Sequence, residues 1–186
     1  RDRSPSRGLG DVYKRQTNDR DEVSNASFVI LPGVGSANRV MNNLITNNLV
    51  PTIKNLTQPV LGICIGMHVL FDHSEEHDTE CMGIIAGNIK KFKANINTKV
   101  PQMGWNKVTF INSCEDKLND HYYFANSYYS PIYDHTLAAA EYSLPYSAAV
   151  QTNNYYGCQF HPEKSSQAGQ RFLDYFFNSN EDITRY

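Results

Sequence analysis

From about Thr17 onward the apolar positions follow two alternating patterns. Phe28-Val29-Ile30-Leu31 is a short unbroken apolar run, the pattern of a strand buried on both faces, and Pro32-Gly33-Val34-Gly35 closes it with a glycine-rich turn. Ser36 is placed to cap a helix in which Val40, Met41, Leu44, Ile45 and Leu49 share one face. Asn42, Asn43, Asn47 and Asn48 take the other. The unit then repeats: Pro59-Val60-Leu61 leads into Gly62-Ile63-Cys64-Ile65-Gly66, and Met67-His68-Val69-Leu70-Phe71 is helix-like. Such alternation predicts an α/β fold with a mostly parallel sheet between helices. Residues 81–130 are richer in strands and turns, with Val108–Phe110 and Tyr122–Phe124 as candidate strands. Ser147–Gln151 and Tyr155–Phe160 read as a hairpin, and Ser165 or Ser166 caps a last helix with Phe172, Leu173, Phe176 and Phe177 as its apolar stripe.

Composition narrows the classes of function. The 186 residues, 40% hydrophobic, suffice for one domain with a single sizeable core. With 17 Lys+Arg against 19 Asp+Glu the net charge is −2, which argues against nucleic acid or an anionic membrane as the main partner. No apolar run approaches the roughly 20 residues of a bilayer span, and no signal core is visible, so a cytosolic protein is expected. The scattered Cys64, Cys81, Cys114 and Cys158 do not form a disulfide framework and are expected as thiols. Nine of the 12 tyrosines lie between residues 122 and 156, where few basic residues accompany them, so they read as sheet and core residues rather than a base-stacking platform.

Charge also divides the chain. Residues 1–16 carry five Lys/Arg and two Asp/Glu, whereas the remainder is net −5. This segment lacks periodicity and resembles translated adaptor sequence, so 1–16 is expected to be a non-native disordered tail, 17–180 the folded domain, and 181–186 a C-terminal tail.

The chemistry concentrates in two short segments. Gly62-Ile63-Cys64-Ile65-Gly66 follows a strand and opens a helix, the context of a nucleophile elbow, in which small flanking residues allow a turn tight enough to present Cys64. A helix N-terminus favours the thiolate, so the Cys64 pKa is expected below about 8.5. In an extended His161-Pro162-Glu163, residues at i and i+2 project to one side, which sets the Glu163 carboxylate beside the His161 imidazole as orienter to base. The Ile65 amide, next to the nucleophile, and the peptides of Gly33, Val34 and Gly35 are candidate oxyanion donors. Ser74–Asp78, with His73 and His77, reads as a solvated turn and not a metal site. Neither a metal nor another cofactor is expected.

GICIGMHVLF, the PGVG turn and QFHPEKS together resemble the class I (triad) glutamine amidotransferases, over about residues 17–179. Val100–Asn106 (VPQMGWN), FANSYY at 124–129 and AGQRFLDYF narrow the resemblance to the glutaminase subunits of imidazole glycerol phosphate synthases. The resemblance implies a flavodoxin-like three-layer fold whose mostly parallel sheet has some antiparallel strands, Cys64 as nucleophile on the L-glutamine side-chain amide, His161 as acid/base and Glu163 as its orienter. It further implies glutamine contacts from His68, Glu76, Ser127 and Tyr128, and Trp105 and Lys164 on a side facing a partner. That partner is a cyclase subunit of (β/α)8-barrel fold, which receives the ammonia in a heterodimer and forms imidazole glycerol phosphate in histidine biosynthesis.

Two departures stand out. The family usually has Gln where this chain has His68, and its members begin with a strand, a DYG-type loop and a helix, in whose place residues 1–16 stand. A chain without that first βα unit is expected to be poorly stable or inactive. The alternatives are a paralogous glutaminase serving a surface-sugar synthase and a non-catalytic binding remnant that docks a partner. A cysteine peptidase is disfavoured, because peptide cleavage gives no reason for the PQMGWN segment.

Overall fold

A computed structural model describes residues 14–179 except 97 and 112, with nothing described of the side chains of 113 and 114. Most of the proposed tail at 1–16, and all of 181–186, lie outside the described residues. The order is α1 (Arg20–Ser24), β1 (Val29–Leu31), α2 (Ala37–Thr46), α3 (Leu49–Lys54), β2 (Val60–Ile63), α4 (Ile65–His68), β3 (His73–Ser74), β4 (Thr79–Glu80), β5 (Asn88–Lys91) and β6 (Gln102–Phe110). There follow β7 (Asp120–Asn126), β8 (Tyr128–Tyr129), β9 (Thr136–Glu141), β10 (Pro145–Thr152), β11 (Tyr155–Cys158) and α5 (Ser166–Asn178), with 3-10 turns at Ser113–Leu118 and Pro162–Lys164.

Seven strands form one sheet in the order β1-β2-β11-β10-β9-β6-β7, and β4-β3-β5-β8 form a second. The α/β class expected from the alternation is present, but the sheet is mixed rather than mostly parallel. Only β1, β2 and β11 run parallel, and the pairings from β11 to β7 are antiparallel. The reason is connectivity: helix-linked strands end at α4, and in this sheet β6 and β7, β9 and β10, and β10 and β11 follow one another through short connections, which makes those neighbours antiparallel.

The large sheet separates two cores. Val60 of β2 belongs to one core with Val29, Leu31, Met41, Leu44, Ile53 and Phe71, and Leu61 to the other with Tyr122, Phe124, Tyr146, Phe160 and Phe172. Val60 and Leu61 are both fully buried, so β2 is covered on both faces. β1 departs from this expectation because it is the edge strand of the described sheet: Ile30 is 43% exposed, and Phe176 and Phe177 of α5 meet Phe28, just before β1, at 5.7 and 5.0 Å between ring centroids. The helix expected through Leu49 is broken at Asn48, whose φ of 52° turns the chain into α3, and Ile45 is left exposed. Among the described residues no helix is long and apolar enough to cross a membrane.

Candidate active site

β2 hands the chain directly to Cys64, which sits at φ 51°, ψ −107° before the single turn of α4. Only glycine visits that region at little cost, so a cysteine there is strained by on the order of 1–3 kcal/mol. The flanking glycines explain how the turn closes. A Cβ on Gly62 would meet the Gly66 carbonyl and lie 2.6 Å from the Met67 nitrogen; one on Gly66 would run into the Leu31 carbonyl at the end of β1. The elbow therefore folds onto two neighbouring strands, with the Cys64 amide donating to the Cys158 carbonyl at 2.7 Å.

Cys64 is buried at 5% exposure. Its thiol pKa is not lowered, as the helix-terminus argument expected, but pushed up to about 11 by burial. Hydrogen bonds from the Ile65 amide and the Gln159 side chain oppose that rise, and the Glu163 and Glu76 carboxylates add to it. A helix of one turn has too small a dipole to offset desolvation. Cys64 thus rests as a thiol.

His161 lies just past β11, its amide donating to the Tyr123 carbonyl of β7 at 2.9 Å. Its Nδ1 is 2.7 Å from Glu163 Oε1, with the His161 side chain 10% exposed and that of Glu163 55%. The two are neighbours as expected, by a different route: Pro162–Lys164 is a 3-10 turn, not a strand, and it curls Glu163 back to the ring. The Ser165 hydroxyl donates to the His161 carbonyl at 2.6 Å and accepts from the Tyr123 amide at 2.9 Å. Ser165 thus ties turn to sheet instead of capping α5 with its side chain, the role expected of it.

The remaining candidates fall in two groups. Gly33 lies against Cys64: a Cβ there would be 2.8 Å from Cys64 Cβ, so the Gly33-Val34-Gly35 turn borders that side chain, with Gly35 at φ 95° and Val34 exposed. Ser36 makes no side-chain cap; the Glu76 carboxylate instead accepts from the Ala37 amide at 2.7 Å, which docks this turn beside Cys64. The Glu76 charge is felt by both Cys64 and Tyr128, so these three share one neighbourhood, and Ser127 adjoins it, its carbonyl accepting from Phe92.

Trp105 and Lys164 form the second group. Trp105 is 53% exposed and packs edge-on to Tyr123 at 6.2 Å, and Lys164 Nζ stands 5.7 Å from the same Tyr123 ring. Trp105 also lines a groove of 340 Å³ with Asp120, His121 and Arg171.

His68 does not line an open surface. It is 1% exposed, and its Nε2 is 2.7 Å from Oε1 of Gln159, a residue fully buried between Cys158 and Phe160. Sequence reasoning passed over Gln159. The available signal was an amide inside an otherwise apolar run immediately before His161, a polar group that must find buried partners.

A model of the class-I glutamine amidotransferase family matches residues 10–180. The imidazole glycerol phosphate synthase subunit HisH 2 of Legionella pneumophila (strain Paris) is 43% identical over 166 residues, 87% of this chain and 83% of that protein. HisH of Haemophilus influenzae (strain Rd) is 42% identical over 164 residues, 86% and 82% of the two chains. Among solved structures, a glutamine amidotransferase superposes with a TM-score of 0.71 at 13% identity over 91% of this chain and 87% of that one. A putative GMP synthase component from Thermoplasma acidophilum gives 0.60 at 17% over 90% and 81%. Those structural likenesses speak to the fold alone. Taken with the match over residues 10–180 and the identity to HisH, they lead to one assignment: the chain belongs to the class-I glutamine amidotransferases.

Proposed function

We propose that this chain is the glutaminase subunit of an imidazole glycerol phosphate synthase, hydrolysing L-glutamine to glutamate and passing ammonia to a cyclase subunit in histidine biosynthesis. The observation that carries the chemistry is a strained, buried Cys64 on an elbow in the same domain as an imidazole held by a carboxylate at 2.7 Å. The 43% identity to a HisH subunit carries the choice of pathway.

In this reading a resting thiol needs a base at the moment of attack. With Nδ1 held by Glu163, His161 uses Nε2 to take the Cys64 proton as sulfur attacks the glutamine amide carbon. The Ile65 amide and a peptide of Gly33, Val34 or Gly35 receive the oxyanion. His161 returns the proton to the departing nitrogen, ammonia leaves, and a glutamyl thioester remains. His161 then takes a proton from water, which attacks the thioester, and glutamate is released with the thiol restored. Glu76, Tyr128 and Ser127 hold the substrate's amino-acid end beside the sulfur. No cofactor enters these steps. The Trp105–Tyr123–Lys164 face meets the cyclase, a (β/α)8 barrel, and residues 17–180 act as the domain in the cytosol.

Glutamate release by the chain, measured with and without a HisH-compatible cyclase and its ligand, tests the proposal. Cyclase-dependent release that vanishes in Cys64→Ala is the expected result; release indifferent to the cyclase overturns the subunit reading, and full activity in Cys64→Ala overturns the nucleophile.

A further inference from the structure

Gln159 joins two buried groups, the His68 ring and the Cys64 sulfur, the second of which also receives the Ile65 amide. Its Oε1 faces His68 Nε2 at 2.7 Å and its Nε2 donates to Cys64 Sγ at 3.6 Å. A primary amide has one accepting and one donating end, so the end offered to the sulfur is decided by what sits at the other. Two arrangements satisfy the geometry. With the proton on His68 Nε2, the amide oxygen accepts from the ring and the amide N–H points at sulfur, where it stabilises a thiolate. With the proton on Nδ1, the amide must turn over and present its oxygen to sulfur, where it accepts from the thiol and repels the thiolate.

His68 Nδ1 selects between them. Among the described residues that atom is buried without a hydrogen-bond partner. Leaving an acceptor lone pair unmatched there is tolerable, whereas an unmatched buried N–H is rare and costly. The proton therefore sits on Nε2. Burial also lowers the His68 pKa to about 4, so the ring is neutral at pH 7 and its Nε2–H does not alternate with a charged form.

We infer that His68 is a positioning residue: by donating Nε2–H to Gln159 it locks the Gln159 amide with N–H toward Cys64, and so supports the thiolate that the proposed attack requires. Resting on the glutaminase reading only for its purpose, the relay itself is a property of the thiol. It bears on a thiol that burial pushes away from its reactive form, and it acts alongside the Ile65 amide and against the Glu163 and Glu76 charges.

The test follows Cys64 alkylation by iodoacetamide against pH in the full chain, with peptide mass spectrometry to separate it from the other cysteines. His68→Leu should slow Cys64 alkylation about tenfold at a fixed pH, one unit in the profile. His68→Gln, whose side-chain N–H reaches the place of Nε2, should restore the rate to within about twofold by the same scale. A His68→Leu profile superimposed on the parent, or a His68→Gln rate as low as that of His68→Leu, overturns the relay. Should His68→Leu fail to fold, 15N spectra of histidine-labelled parent protein decide: a neutral Nε2–H tautomer at pH 7 supports it, and an Nδ1–H tautomer or a charged ring overturns it. Neither measurement contains glutamine or a cyclase, so a failed glutaminase assay leaves them readable.

Discussion

Gly169 gives the sharpest test of how the fold holds His161, the proposed acid/base residue. It lies in the first turns of α5 at a point where a Cβ would run into the Pro162 carbonyl oxygen and stand 2.7 Å from its carbon and 3.0 Å from its Cα. Gly169→Ala pits two effects against each other. Alanine gains about 1 kcal/mol in helix propensity. Forcing a methyl against buried backbone costs up to about 3 kcal/mol, the upper end for overpacking because the obstacle is main chain and cannot rotate away. The net is a loss of about 2 kcal/mol, which for a chain of this size lowers Tm by about 4–8 °C. If the strain is relieved by moving the Pro162–Lys164 turn, His161 and Glu163 move with it, and a displacement near 1 Å lowers turnover about 100-fold. Thermal melts followed by circular dichroism, paired with glutamate release, read both effects. Gln167→Ala, at an exposed site on the same helix, reports propensity alone. A Gly169→Ala protein that melts higher than the parent, as propensity alone would have it, refutes the close approach of α5 to Pro162.

The other predictions concern protonation and charge. His68 titrates near 6.5 unfolded and near 4 folded, so the unfolded chain binds the extra proton between those values, and stability falls as pH drops from 6.5 toward 4 by about 3 kcal/mol. Urea titrations at pH 7 and pH 4 should show that loss in the parent and a smaller one in His68→Gln. Cys64 behaves oppositely, since its pKa rises from 9.0 to about 11 on folding: stability declines as pH climbs through that window, and urea titrations at pH 9 and pH 11 should show less decline in Cys64→Ala. Glu163→Gln should lower kcat about 1,000-fold or more with little change in Tm, because an amide in place of the carboxylate neither stabilises the imidazolium nor fixes its tautomer. Glu76→Ala removes the acceptor for the Ala37 amide; about 1 kcal/mol of stability should go, as for a lost helix cap, together with a raised KM for glutamine.

How much of this was legible depended on range along the chain. The unit from Phe28 to Leu44, the hairpin built on β10 and β11, and α5 with its Phe172–Phe176 stripe follow from local periodicity and turn chemistry, and they formed close to their expected positions. The turn at Cys64 and the contact of His161 with Glu163 were legible because each sits in a short motif, although the contact forms through a 3-10 turn and not the extended segment expected. What escaped depended on partners far away in sequence. The small sheet β4-β3-β5-β8 and strand β9 are short, and Thr136–Glu141, with three alanines, has no strand signature until neighbours on both sides cover it. The thiol pKa was misjudged because the helix N-terminus is local, whereas burial is set by β11 and the loop after β1. Gln159 and His68, 91 positions apart, meet only once β2 and β11 pair.

The left-handed backbone of Cys64 carries an implication for how such a protein can decay. Glycine at that position would lose the sulfur and relax a conformation that costs a side-chain-bearing residue on the order of 1–3 kcal/mol. The step that removes the proposed nucleophile is then one that backbone conformation favours. The elbow itself would offer no resistance to an inert variant with the same fold, so the architecture gives no reason of its own for a cysteine there.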